Sequence, residues 1–77
     1  MLKPTRVTNA IRSLRFAHGE MTQAELADRI GVTRQTVIAI EQSRYSPSLE
    51  MAFRIARVFG VSLDDVFKYS EDEEEMA

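Results

Sequence analysis

Cysteine is absent from this chain, so neither a disulfide framework nor a thiolate metal site can be built from it. Histidine is nearly absent. The single His18 is too little for a histidine-based metal site or a conventional Ser/His/Asp triad. No apolar run approaches the roughly 18 residues that a membrane span needs, so no membrane partner is expected. The opening stretch Met1-Leu2-Lys3-Pro4-Thr5-Arg6 has no apolar segment behind its charges. It does not read as a secretory signal, and the expected location is cytoplasmic. What remains is a chain of 77 residues, enough for one small domain. A core of that size is marginally stable, so oligomerisation is an expected supplement.

The net charge of −2 at first argues against a polyanionic partner. Its distribution says otherwise. Five of the twelve acids stand in one run, Glu71-Asp72-Glu73-Glu74-Glu75. Residues 1–70 hold ten bases against seven acids, a balance of +3. A mildly basic body of residues 1–70 therefore carries an acidic tail, residues 71–77, expected to be disordered because like charges repel.

Apolar spacing and capping signals predict five helices. The first is expected from Asn9 to Ala17 with Thr8 as N-cap, its stripe made by Ala10, Ile11 and Leu14, and its end at Gly19. Thr22 and Glu25 form a capping box for a helix from Gln23 to Ile30. Thr33 caps a third helix, Arg34 to Gln42, followed by the loop Ser43-Arg44-Tyr45-Ser46-Pro47. Ser48 caps a fourth, whose Leu49, Ala52, Phe53, Ala56 and Phe59 repeat at helical spacing up to Gly60. Ser62 with Asp65 starts a short fifth helix, Leu63 to Val66, and Phe67 to Ser70 either continue it or form a short strand.

The informative segment is residues 23–42. Two helices crossing at roughly 90–120° through a tight turn must approach closely near that turn. Ala27 is small enough for the crossing, and Gly31 supplies the left-handed backbone that ends the second helix. Leu26, Ile30, Val32, Val37 and Ile40 are spaced to bury the inner faces. Gln23, Arg34, Gln35, Thr36 and Ala39 fall on the outer face. Few amphipathic pairs place small, glycine and β-branched residues in this order with two caps in register. The pattern predicts a helix-turn-helix; the plainer alternative is an ordinary α-hairpin within a bundle.

The segments Thr22 to Ala27, Gly31 to Val37 and Ile40-Glu41 resemble the Cro/CI-type (XRE) helix-turn-helix family of transcription regulators. The likeness extends over residues 9–67. Asn9 to Arg15 is similar to the family's first helix. Arg44 to Leu49 and Val61 to Phe67 look like a subgroup of very small, cytolysin-repressor-like regulators, some of them dimers with short β strands flanking the helices. The implied fold is all-α, a five-helix lambda-repressor-like DNA-binding domain with room for short terminal strands. Glu20 departs from the pattern as an extra residue, expected only to lengthen the first loop.

The resemblance implies roles. The third helix would lie in the major groove of double-stranded DNA, with Arg34, Gln35 and Ala39 at base-reading positions. Arg suits guanine O6 and N7, Gln suits adenine N6 and N7, and a methyl suits thymine. Gln23 matches a phosphate clamp, and Thr33, Thr36, Arg44 and Tyr45 are further backbone candidates. Arg15 and Glu41 match a buried ion pair of the family. The blander readings are solvated helix residues for Arg34 and Gln35, a plain helix former for Ala39, and a self-packed loop for Arg44 and Tyr45. His18 is expected exposed at a helix end.

A homodimer is expected on two grounds. One recognition helix touches few base pairs, each mismatch costing about 1–3 kcal/mol, so two copies on half-sites roughly 34 Å apart discriminate far better. Met51, Ile55 and Val58, with Val66, Phe67 and Tyr69, are apolar residues in excess of one core stripe, and exposed apolar surface marks interfaces. The leading expectation is a homodimeric repressor reading a palindromic operator, with no cofactor and no small-molecule ligand. An antitoxin is a second reading, weakened because the only spare sequence for toxin binding is the acidic tail. A protein-interaction module is a third. An enzyme is least expected, since no nucleophile is paired with a base.

Overall fold

The computed structural model describes residues 5–69. The order is β1 (Val7–Asn9), α1 (Ile11–Ala17), α2 (Gln23–Ile30), α3 (Arg34–Glu41), α4 (Leu49–Phe59), α5 (Leu63–Val66) and β2 (Phe67–Tyr69). The predicted five-helix architecture is therefore present. The two strands form an antiparallel ribbon in which Val7 faces Tyr69, Thr8 faces Lys68 and Asn9 faces Phe67. Of the two readings for residues 67–70, the strand holds over Phe67–Tyr69; Ser70 and the acidic tail lie outside the described residues.

The caps in the middle of the chain behave as their chemistry requires. Thr22 Oγ1 accepts from the Glu25 N–H while Glu25 returns the bond to the Thr22 N–H. Ser62 and Asp65 repeat that exchange on α5. Thr33 and Ser48 each accept from the N–H three residues on, at Thr36 and Met51. Gly31 ends α2 with φ +79°, and the Val32 N–H then reaches back to the Ala27 carbonyl.

The start of α1 differs from the expectation. Thr8 and Asn9 belong to β1, and the N-cap position falls to Ala10, which has no side chain to cap with. Asn9 takes over that duty. Its Oδ1 accepts from the Ile11 N–H at 3.1 Å, and its Nδ2 donates to the Ile40 carbonyl at 2.9 Å. An asparagine that can serve two helix ends at once is worth more in the strand than as the first helical residue.

The first loop also does more than lengthen. Gly19 and Glu20 are both left-handed, with φ +73° and +58°. The Met21 N–H consequently closes on the Arg15 carbonyl, one residue wider than the closures after Gly31 and Gly60. The added residue carries Met21 into the core and turns its carbonyl onto Arg15.

The core joins Ile11 of α1, Leu26, Ala27 and Ile30 of α2, Val37 and Ile40 of α3, Ile55, Ala56 and Phe59 of α4, and Val66 of α5. On α4 this corrects the sequence reading. Leu49 and Phe53, counted in the core stripe, are 67% and 49% exposed. Ile55 and Val66, assigned to a dimer interface, are each 1% exposed within a single protomer. A side chain already sealed by its own domain has no area left to give a partner. The spacing of α4 admits two overlapping stripes, and the one containing Ile55 faces α2.

Candidate nucleic-acid interface

The outer side of α2 and α3 is built on a buried ion pair. Arg15 is 7% exposed. Its Nε donates to Glu41 Oε2 at 2.7 Å, its Nη2 to Glu41 Oε1 at 3.2 Å, and its Nη1 to the Met21 carbonyl at 2.8 Å. The two-point fork is the geometry a guanidinium and a carboxylate prefer. Glu41 Oε1 also accepts from Gln23 Nε2 at 3.1 Å. The pair thereby sets the rotamer of Gln23, the first residue of α2, and a residue chosen from sequence as a phosphate clamp is held in place from below. No described residue leaves a buried side-chain polar atom without a partner.

The other chosen residues divide by exposure. Arg34 and Gln35, in the first turn of α3, are exposed, as are Thr33, Arg44 and Tyr45. Thr36 and Ala39 are half-buried. The Thr33 and Thr36 hydroxyls lie 3.0 Å apart, so Thr33 is engaged with its own helix as well as open to solvent. The loop after α3 has Ser43 left-handed at φ +58°, and the Arg44 N–H returns to the Ala39 carbonyl, which fixes where Arg44 leaves the helix. Arg34 and Gln23 share a groove of about 730 Å³ between α1, the start of α2 and the side of α3. Arg44 and Tyr45 do not line it.

A second exposed face is apolar, and its α4 members are not the ones singled out from the sequence. Leu49 and Phe53 stand out from α4, and Tyr69 from β2. Beside Leu49 lies an apolar groove of about 330 Å³ walled by Val7, Pro47, Leu63 and Phe67. Of the residues assigned to an interface, Met51, Val58 and Phe67 are half-buried and packed on the core, and Tyr69 is 61% exposed. The excess is plain in the sequence, since an 11-residue helix with apolar residues at 49, 51, 52, 53, 55, 56, 58 and 59 has more than one core can cover; which of them stay outside the core is not.

His18 lies exposed at the end of α1 with its ring edge against Phe59 at 5.1 Å. No described group of histidines and carboxylates is arranged to hold a metal ion, and no described helix is long and apolar enough to cross a membrane.

Comparison with known proteins agrees with this geometry. A helix-turn-helix family model matches residues 11–66. The chain is 49% identical over 65 residues to an uncharacterised HTH-type transcriptional regulator of Methanocaldococcus jannaschii, covering 84% of this chain and 97% of that one. It is 34% identical over 64 residues to the cryptic phage CTXphi transcriptional repressor RstR of Vibrio cholerae, covering 83% of this chain and 57% of the repressor. Its fold matches a candidate DNA-binding protein from Bacteroides fragilis with a TM-score of 0.70 at 22% identity, over 80% of this chain and 98% of that one. With motif, caps, ion pair and fold in agreement, the chain belongs to the Cro/CI-type (XRE) helix-turn-helix family of transcriptional regulators.

Proposed function

We propose that this protein is a homodimeric repressor that reads a palindromic operator with α3 in the major groove. The observation that carries the reading is the first turn of α3. Arg34 and Gln35 are exposed there, and neither side chain forms an ion pair or hydrogen bond among the described residues. Next to them Gln23 is held on Glu41. Arg34, Gln35 and Ala39 read base edges. Gln23, Thr33, Thr36, Arg44 and Tyr45 contact the backbone and set register. The likeness to a phage repressor supports the sign of regulation.

The second copy docks on the apolar face of α4, α5 and β2. Leu49, Phe53, Phe67 and Tyr69 make up that surface, while Met51 and Val58, on the other flank of the buried stripe of α4, are half-buried outside it. Ile55 and Val66 support it from inside. Contiguous exposed apolar surface on so small a body favours a partner of the same kind. The protein acts in the cytoplasm, on double-stranded DNA.

Selection of bound sequences from random duplex DNA tests the whole reading. The expected product is a two-fold symmetric site with half-sites centred roughly 10 base pairs apart or a multiple of that. An asymmetric single site would remove the dimer, and no enrichment at all would remove sequence-specific binding. Affinity should fall steeply with salt.

A further inference from the structure

We propose that Arg12, on α1, is a contact to the DNA backbone, seating a phosphate in the groove beside the recognition helix. The inference rests on α3 being the helix that enters the major groove. It adds a residue from outside the helix-turn-helix to the interface.

Placement comes first. Asn9 ties the beginning of α1 to the Ile40 carbonyl, and Arg15 ties its third turn-forming position to Glu41. Both anchors grip the last turn of α3, so α1 crosses that end of the helix in a fixed orientation. Arg12 sits between the anchors and lines the groove of about 730 Å³, together with Ser13. Gln23, Arg34 and Gln42 line the same groove. Arg34 begins α3 and Gln42 follows its last residue, so the groove runs the length of the helix. When a helix lies in the major groove, the sugar-phosphate rims pass along its sides.

Charge and preorganisation follow. Three arginines, Arg12, Arg15 and Arg34, face two carboxylates, Glu20 and Glu41, around the groove. Arg15 and Glu41 neutralise each other, leaving Arg12 and Arg34 against the exposed Glu20. Arg12 is itself exposed and has no ion pair among the described residues. Its guanidinium carbon lies 5.7 Å from the centre of the Phe16 ring, one helical turn on. A guanidinium resting on an aromatic face keeps its N–H edges free and loses little freedom when it meets a phosphate. The same contact gives Phe16, 56% exposed, a use that core packing does not.

The test measures affinity of the full chain for the selected duplex and for an unrelated duplex, each across a salt series. The variants are Arg12→Ala and Phe16→Leu. Arg29→Ala is the control, an exposed arginine on α2 that does not line the groove. Thermal melting checks that each variant is folded. Arg12→Ala should weaken both duplexes alike, by on the order of threefold to tenfold. It should also flatten the plot of log affinity against log salt by about 0.9, the value of one phosphate contact. Phe16→Leu should produce a smaller loss of the same kind, and Arg29→Ala should leave the slope unchanged. The proposal is overturned by an unchanged slope in Arg12→Ala, by an equal loss in Arg29→Ala, or by a change of sequence preference in place of a uniform loss. If the wild-type protein binds neither duplex, the DNA reading of α3 has failed and the phosphate seat falls with it. If it binds and Arg12→Ala matches it, only the seat is lost.

Discussion

The helices α3 and α4 each bury an apolar inner face, Val37 and Ile40 on the first and Ala52, Ile55, Ala56 and Phe59 on the second, and their outer faces differ in character. Outward from α3 stand Arg34 and Gln35, groups at ease in water and able to exchange that water for base edges or phosphates. Outward from α4 stand Leu49 and Phe53, which gain nothing from water. Exposure alone therefore does not say what a surface is for. A polar face is stable empty and becomes specific when filled. An apolar face carries a standing cost of about 25 cal/mol for each Å² left uncovered, which a second copy can remove. On the proposed reading, sequence-specific contact and self-association would be divided between two consecutive helices joined by residues 42–48.

The most forceful way to break this comparison is to remove what holds α3 in place. Glu41→Ala leaves the Arg15 charge buried without its carboxylate and should cost about 3–5 kcal/mol in urea unfolding. Replacing Arg15 and Glu41 together with apolar residues should recover most of that loss. Next in size is a contrast within α4. Ile55→Ala should cost about 2–4 kcal/mol, because it opens a cavity in the protomer's own core. Phe53→Ala should change protomer stability by less than about 1 kcal/mol and should instead lower the sedimenting mass at tens of micromolar. Equal losses for the two would erase the distinction between core and outer face. On α3, Arg34→Ala should weaken binding to the selected duplex by about 1–3 kcal/mol and relax preference at one base pair, whereas Gln23→Ala should weaken all duplexes more evenly. The smallest effect is Thr33→Ala. Loss of its bond to the Thr36 N–H should cost about 1 kcal/mol of stability, read by thermal unfolding.

Much of this was legible because the governing signals are local. Thr22 with Glu25, Thr33, Ser48, Ser62 with Asp65, and Gly31 each determine a helix end within four residues of themselves. The caps, α3 and its exposed residues follow from them. Misread features depend on partners distant in sequence. Asn9 looked like helix because its value lies in reaching Ile40, a residue 31 positions away. Phe53 and Ile55 exchanged roles because the helical period alone does not say which of two apolar stripes meets α2. Arg12 carried no signal at all until the groove brought it together with Arg34. Residues 71–77, expected to form a disordered acidic tail, lie outside the described residues.

The ribbon of β1 and β2 has a consequence for how the molecule comes together. Every helix here can form from neighbours close in sequence, but Thr8 and Lys68 meet across 60 positions. Bringing them together carries the loop-closure entropy of nearly the whole described chain. Two strands of three residues cannot offset that alone, so the ribbon closes only on a helical core already in place. It should act as the clasp of the fold, the last contact made and the first released. Hydrogen exchange at its amides should therefore report local opening, while the amides of Leu26 and Ile55 wait for the whole domain to unfold.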